Sequence, residues 1–513
     1  MAAKKKHAGS ARPIAKAATG IDGLDEITGG GLPRGRPTLL VGGPGCGKTM
    51  LAAEFIIQGA RRFDEPGVFM MFEENAEELA DNVRSLGFDL DTLCRQKKVA
   101  VDFVRIERSE IEETGEYDLE GLFIRLGHAI DSVGAKRVVL DTIEALFSGL
   151  SDHAVLRAEL RRLFRWLMDR GMTAVITGER GASTLTRYGL EEYVADCVIV
   201  LDHRINDNIS TRRLRVLKYR GSAHGTNEYP FLIGDQGILV LPVTAIRVDR
   251  PASNERVSTG IAELDAMLGG RGVFRDSSIL VSGAPGTGKS SVGASIADAA
   301  CARGERVLMF VYEESAAHVV RNMRSIGLDL ARWVKKGRLR IQASRPALLG
   351  LEQHLVEIHA AVREFAPSVV VVDPISNLSL EREDAALRPT LTRLVDSLKE
   401  GGMTAVYTLL VDDSVGARAE SQVAVSSTMD VWLLLTNAEW NGERTRALQV
   451  VKSRGTPHSN QVREFLITDR GIALVDVYAD GGRVLTGRSR AAAQGVDAPA
   501  PAERAGAARR SRA

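Results

Sequence analysis

The 513-residue chain lacks most features that would mark a special environment. Its four cysteines, Cys46, Cys94, Cys197 and Cys301, are scattered with no C-x-x-C spacing. They read as reduced thiols, which excludes a disulfide framework or a structural zinc site. No apolar run reaches the roughly 18 to 20 residues of a membrane span, and the basic start MAAKKKHAGSARPIAK lacks the apolar stretch of a secretory signal. A cytoplasmic protein with no membrane contact is expected. Charge of one sign is missing too: 67 basic and 66 acidic side chains leave a net +1. No global field therefore favours a polyanion, although a local groove could still be basic. With no zinc motif and no helix-turn-helix, nucleic acid is not an expected partner.

What the chain does have is a glycine-rich loop, twice. Residues 42–49 read GGPGCGKT and residues 283–290 read GAPGTGKS. In the spacing G-x-x-x-x-G-K-[ST] the glycines, Gly45 and Gly47 or Gly286 and Gly288, let the backbone curl so that successive N–H groups face a phosphate chain. A helix N-terminus behind them adds partial positive charge. Lys48 and Lys289 can reach β- and γ-phosphates, while Thr49 and Ser290 can offer a hydroxyl to Mg²⁺. Cys46 and Thr287 fill variable positions of the loops, and Ser291 follows the second. Apolar runs, PTLLVG and SSILVSG, lead into the loops, and helix-compatible segments follow; strand, loop, helix is the setting this motif requires.

The repetition extends along the whole chain. TGIDGLDEITGGGLPRG (19–35) resembles TGIAELDAMLGGRGVFR (259–275), NVRSLGFDL returns as NMRSIGLDL, and GMTAVIT as GMTAVYT. The expected organisation is an N-terminal arm (1–15), a first domain (16–246), a linker (247–257), a second domain (258–478) and a tail (479–513). The arm and the Ala, Arg, Gly and Pro-rich tail are expected to be mobile, since they offer little to bury. Within each copy, short runs apolar throughout (VFMMFEE, KRVVLDT, TAVITG, CVIVLDH in the first) alternate with helical patterns. Such runs predict parallel strands buried on both faces, with antiparallel strands added near each domain's end. Each domain should be α/β, a mostly parallel sheet flanked by helices.

Three further signals carry chemistry. VVLD and VVVVD end two strands in Asp141 and Asp373, at the carboxyl edge where open α/β sheets bind ligands; each suits a metal beside a phosphate loop. FEEN and YEES end two more strands in paired carboxylates, whose desolvation is tolerable only if they face a cleft. Glu73 and Glu313 are the candidate bases that orient an attacking oxygen and take its proton late in phosphoryl transfer. Glu74 and Glu314 suit the start of the following helix. The third signal is basic: Lys218, Tyr219, Arg220 and then His224, matched by Lys452, Ser453, Arg454 and then His458. Lys and Arg two apart on a strand share a face, which suits a phosphate contact on a neighbouring subunit's nucleotide.

These residues together resemble the KaiC family, tandem RecA-like P-loop ATPases and autokinases of circadian clocks, over roughly residues 15–478. The resemblance implies a homohexamer of two stacked rings that binds ATP and Mg²⁺ between subunits. The N-terminal ring would hydrolyse ATP and the C-terminal ring would phosphorylate a neighbour's serines. It also implies contacts to nucleotide from Ser85, Lys218, Arg220, Ser222, His224 and Asp235 in the first copy. In the second copy Arg446, Lys452 and Arg454 would join Lys289, Ser290, Glu313 and Asp373, with Glu313 also near the metal. Ile326 stands where the family often has tryptophan. The family's phosphorylation pair, followed by x-x-Asp before an apolar strand, falls on Ser426 and Ser427 of VSSTMDVWLLL. Partners of the KaiB kind, or two-component signalling proteins, are implied. The tail has no recognisable counterpart of the peptide that binds the stimulatory clock partner. Two other readings remain open on these residues: a RecA-like DNA-dependent ATPase, and a nucleotide-gated scaffold without essential kinase activity.

Overall fold

The computed structural model describes residues 14–73, 75–104, 119–146, 153–181, 186, 195–206, 209–242, 253–344, 351–378, 387–411, 427–440, 443–476, 478–480 and 483–485. The chain divides into two compact units, residues 1–247 with 347–363, and residues 248–346 with 364–513.

In the first repeat a two-stranded pairing of β1 (Lys16–Ala17) with β2 (Leu32–Pro33) precedes the main sheet. That sheet holds β3 (Pro37–Gly42), β4 (Gly67–Met71), β5 (Val99–Phe103), β6 (Arg137–Asp141), β7 (Thr173–Glu179), β8 (Cys197–Asn206), β9 (Ile209–Tyr219), β10 (Tyr229–Gly234) and β11 (Gly237–Val240). Their order is β11-β10-β9-β8-β3-β7-β6-β4-β5. From β8 to β5 every pairing is parallel, whereas β8 to β11 run antiparallel. The all-apolar strands are the parallel ones because both of their faces are covered. In β3, Leu40 packs with Phe55 and Ile56 of the helix Lys48–Arg62, while Leu39 and Val41 join Leu126 and Leu160 on the opposite face.

The second repeat begins with β12 (Arg256–Val257) and β13 (Val273–Phe274), paired antiparallel. The expected linker therefore ends earlier than 257, because its last two residues already form a strand. The main sheet follows: β14 (Ser278–Gly283), β15 (Val307–Val311), β16 (Leu339–Ala343), β17 (Val369–Asp373), β18 (Thr404–Leu410), β19 (Val431–Trp440), β20 (Glu443–Ser453), β21 (Arg463–Thr468) and β22 (Gly471–Asp476). Its order, β16-β15-β17-β18-β14-β19-β20-β21-β22, is that of the first sheet. β23 (Tyr478–Asp480) pairs with β24 (Arg483–Leu485). Ordered pairing thus reaches Leu485, beyond the expected start of the tail at 479; residues 1–13 and 486–513 lie outside the described residues. Among the described residues no helix is long and apolar enough to cross a membrane.

Candidate functional site

Both glycine-rich loops sit at the carboxyl end of the central strand, β3 or β14, and pass directly into a helix, Lys48–Arg62 or Lys289–Ala302. The N-cap glycines, Gly47 and Gly288, have φ of 103° and 101°, a backbone that side-chain-bearing residues rarely adopt. A Cβ there would also meet Ile233 and Phe465, each at 2.7 Å. Gly45 and Gly286 face open space. Cys46 and Thr287, by contrast, are buried and brace the loops from within: Thr287 Oγ1 donates to the Ala284 carbonyl at 2.8 Å, and Cys46 Sγ lies where a Cβ on Gly42 would fall. Burial pushes the Cys46 thiol up, against the pull of Lys48. Any phosphate contact from these two residues would use the main chain.

The loop lysines lie across their own loops. Lys48 Nζ donates to the carbonyls of Gly42 and Gly43 (2.9 and 3.1 Å), and Lys289 Nζ to those of Gly283 and Ala284 (2.9 and 2.8 Å). Burial lowers the Lys289 pKa, while Asp373 and Glu313 oppose that shift. Ser290 is exposed, and Ser291 is buried on the helix that follows.

Asp141 ends β6, two strands from β3, and burial raises its pKa despite hydrogen bonds from Thr177 and Thr49. Thr177 donates to Asp141 Oδ1 from β7, and Thr408 donates to Asp373 Oδ1 in the same way from β18. The strand ends bearing the glutamates lie alongside. Phe72 N donates to the Asp141 carbonyl and Tyr312 N to that of Asp373, both at 3.0 Å. Thr142 Oγ1 sits 3.4 Å from Glu73 Oε1. Glu73 and Glu313 are exposed to solvent at this edge. Glu74 lies outside the described residues. Glu314 does not cap the next helix; Ser315 does, accepting from His318 N, and Glu314 instead accepts from Asn322 at 2.9 Å. Ser315 directly precedes the helix, so its hydroxyl accepts from the N–H three residues on, and Glu314 stands one residue too early to do so.

Ser85 caps the C-terminal end of the helix Ala76–Arg84. Just beyond it Gly87 (φ 77°) lets the Asp235 carbonyl approach to 2.6 Å of where a Cβ would be. A cleft of about 320 Å³ lies here, lined by residues that include Arg61, Phe88 and Asp235. The second copy repeats the contact between Gly327 and the Asp469 carbonyl, and Ile326 packs against the core.

The basic strands occupy the other end of the sheet. Lys218 pairs with Val198 and Tyr219 with Cys197 at the start of β8, whereas Gly42, at the loop, pairs with Leu201. Four residues of strand separate Cys197 from Leu201, about 13 Å. Lys452 likewise pairs with Trp432, while Gly283 pairs with Leu435. Neither basic pair is brought to the loop of its own domain. Tyr219 is buried, donates its hydroxyl to the Gly31 carbonyl at 2.8 Å and stacks on His224, so its ring belongs to the core. Arg220 and Ser222 lie in the turn after β9; Arg220 is exposed and 3.5 Å from Asp196. Ser453 ends β20. Arg454 donates to the Ser427 carbonyl at 2.5 Å. Ser427 is exposed; Ser426 lies outside the described residues.

Arg446 does reach its own loop, donating to the Gly286 carbonyl at 3.0 Å. Its counterpart Arg212 lies close enough to Cys46 to act on the thiol. Residue reasoning missed Arg212, although the repeat itself places it opposite Arg446. It also missed Thr177 and Thr408, for which a threonine in an apolar strand gives no signal.

A family model for the ATPase KaiC matches residues 17–245 and 257–478. Among curated proteins, the chain is 52% identical over 478 residues to a "Circadian clock protein KaiC2" of Synechocystis sp., spanning 93% of this chain and 84% of that one. It is 37% identical over 476 residues to a "Circadian clock oscillator protein KaiC" of Synechococcus elongatus, spanning 92% of each. With two copies of the matching domain and identity of this extent over most of its length, the chain belongs to the KaiC family of ATPases.

Proposed function

We propose that the first domain hydrolyses ATP and that the second transfers the γ-phosphoryl group to Ser426 or Ser427 of an adjoining protomer in a homohexameric ring. One observation carries this reading: the acceptor Ser427 and the pair Lys452 and Arg454 sit at the end of the sheet opposite their own phosphate loop. Two domain ends that are remote in one chain become one site when protomers stand side by side. The resemblance in sequence and the "circadian clock" names of the relatives support a role in timing or signalling, with KaiB-like or two-component partners.

The residues present fit ATP with Mg²⁺. The loops offer main-chain N–H groups at a helix N-terminus, and Lys48 and Lys289 rest on loop carbonyls that phosphate oxygens would replace as partners. Among the described residues no three His, Cys, Asp or Glu side chains converge. A Mg²⁺ held by Thr49 and Asp141, or by Ser290, Asp373 and Glu313, would take its other ligands from phosphate and water. When bound, the ion neutralises charge on the phosphates. Thr177 and Thr408 keep the aspartates oriented.

In the second domain the serine oxygen bonds to the γ-phosphorus as the bond to the β,γ-bridging oxygen breaks. ADP departs with that oxygen, and the hydroxyl proton passes to the Glu313 carboxylate. In the first domain a water takes the serine's place, Glu73 accepts its proton and free phosphate is released. Position decides which oxygen reacts. The test is a mixing experiment: a Lys289→Ala chain, expected not to hold ATP in its second site, is incubated with a Ser426→Ala/Ser427→Ala chain and labelled ATP. Label on the serines of the Lys289→Ala chain supports transfer between protomers; an unlabelled Lys289→Ala chain, under conditions where the wild-type chain takes label, refutes it. Stimulation of hydrolysis by DNA would favour the DNA-dependent ATPase instead.

A further inference from the structure

Asp430 stands three residues after Ser427 and one before β19. Its carboxylate, 15% exposed, gathers donors from three separate segments. Lys399, on the helix Leu387–Glu400, donates to both oxygens at 2.8 Å. Ser278, the first residue of the strand that feeds the phosphate loop, donates through its main-chain N and its hydroxyl, both at 3.0 Å. Arg454, at the end of the basic strand, lies 3.8 Å from Oδ1. The main chains are also tied, Asp430 N to the Ser278 carbonyl at 2.9 Å and Arg454 N to the Asp430 carbonyl at 2.8 Å. The same Arg454 holds the Ser427 carbonyl. Burial alone would raise the Asp430 pKa, but Lys399 and Ser278 overcome it and hold the carboxyl below its usual range.

The first domain has the same aspartate with weaker support. Among the described residues Asp196 has Arg36 (3.4 Å) and Arg220 (3.5 Å) as ion partners. Met168 stands at the place of Lys399 and Pro37 at that of Ser278, so the ammonium and both serine donors are gone. Glu192 and Tyr193 stand at the places of Ser426 and Ser427. The extra tethers therefore occur in the copy that carries the hydroxyl pair.

We propose that Asp430 is a positioning residue for phosphoryl transfer, binding the acceptor segment, the start of the loop strand and the basic pair Lys452 and Arg454 into one rigid piece. The inference rests on the reading of Ser426 and Ser427 as acceptors. Its consequence is that the hydroxyl and the cations meant for a neighbour's triphosphate arrive together, in fixed relation.

The test uses the full-length chain, with Asp430→Asn, Asp430→Glu and Lys399→Met. Label on serine at saturating ATP should fall on the order of 10- to 100-fold for Asp430→Asn, as misplacement of reacting groups by an ångström does. The half-saturating ATP should move by no more than about twofold, the signature of a lost transition-state interaction. Asp430→Glu should recover part of the rate, Lys399→Met should lose part of it, and phosphate release by the first domain should be unchanged. Hydrogen exchange at residues 427–430 should quicken in Asp430→Asn while the strands of the second sheet stay protected. Unchanged labelling, a change confined to half-saturating ATP, or exchange that rises across the whole domain would each overturn the proposal. Wild-type protein that takes no label, yet shows the local exchange change in Asp430→Asn, would overturn the acceptor reading and with it the role in transfer, leaving Asp430 as a structural tie.

Discussion

The two domains share a sheet order and a loop, yet they brace that common frame with different buried charges. In the first, Glu65 is held by Arg34 at 2.6 Å and by Arg137 at 2.6 Å. Arg137 is fully buried, donates to the Phe55 and Ala18 carbonyls and lies over the rings of Phe55 and Phe63. In the second, Glu305 meets Arg275 and Arg303, both at 3.0 Å, and Val369 stands where the first domain has Arg137. On the loop helix the first domain buries Glu54, which accepts from Ile238 N at 2.7 Å and from Gln58; the second has Ser295 there. The second domain concentrates its charge instead around Asp430. The chemistry of the loop fixes positions at the carboxyl edge of the sheet, whereas these ion pairs behind that edge differ between the copies.

The comparison can be broken hardest at Arg137. Arg137→Ala would leave Glu65 with one exposed partner and remove the ties to Phe55 and Ala18, for a loss of about 3–5 kcal/mol from the first domain. Chemical denaturation followed by domain-specific proteolysis should show the first domain melting early and the second unaffected; a loss shared by both would show that the domains are not independent. Glu54 offers the next largest effect. Burial pushes its carboxyl up to about 7 from 4.5, with Asp22 adding to the rise and Ile238 N, Gln58 and Arg62 opposing it. The folded domain therefore holds a proton that the unfolded chain has already released. First-domain stability should be highest below pH 4.5, on this group's account, and fall by up to about 3 kcal/mol as pH rises through 7. Glu54→Gln should flatten that part of the stability–pH curve, and an unchanged slope would show that Glu54 stays ionised in the fold.

Smaller effects sharpen the shared frame. Thr177→Val should slow phosphate release about 10-fold and Thr408→Val should slow serine labelling by the same factor, as loss of a group that orients a metal ligand does. If either leaves its reaction unchanged, the corresponding aspartate needs no such partner. Smallest is Arg446→Ala, which removes one hydrogen bond to the loop carbonyl of Gly286 and should weaken ATP at the second site by about 1 kcal/mol. Arg212→Ala should do the same at the first site, read by nucleotide titration. A loss at one site only would separate two arginines that the repeat treats as equals.

Much of this frame was legible in the residues. Runs such as VVLD and VVVVD announce buried parallel strands because no face needs polarity, and a carboxylate at the end of such a run has few reasons to be there other than chemistry. The two-residue strands Lys16–Ala17 and Arg256–Val257 were not legible, since they have no periodicity to read. The pairing of Tyr478–Asp480 with Arg483–Leu485 was hidden by a composition that otherwise suits an unstructured tail. At the site, Thr177 could not be told from an ordinary β-branched strand residue; only the register beside β6 gives it a role. Lys399 lies 31 residues before Asp430 on a different element, and no local pattern links them. The Arg454 to Ser427 contact joins segments 27 residues apart in the same way.

The most direct measurement follows both products of labelled ATP, free phosphate and phosphoserine mapped by mass spectrometry, in wild-type, Glu73→Gln and Glu313→Gln chains. A division of labour between the domains requires that Glu73→Gln suppress phosphate release while serine labelling continues, and that Glu313→Gln abolish label while most phosphate release persists. Equal label in the wild-type and Glu313→Gln chains, or phosphate release indifferent to Glu73, would contradict it.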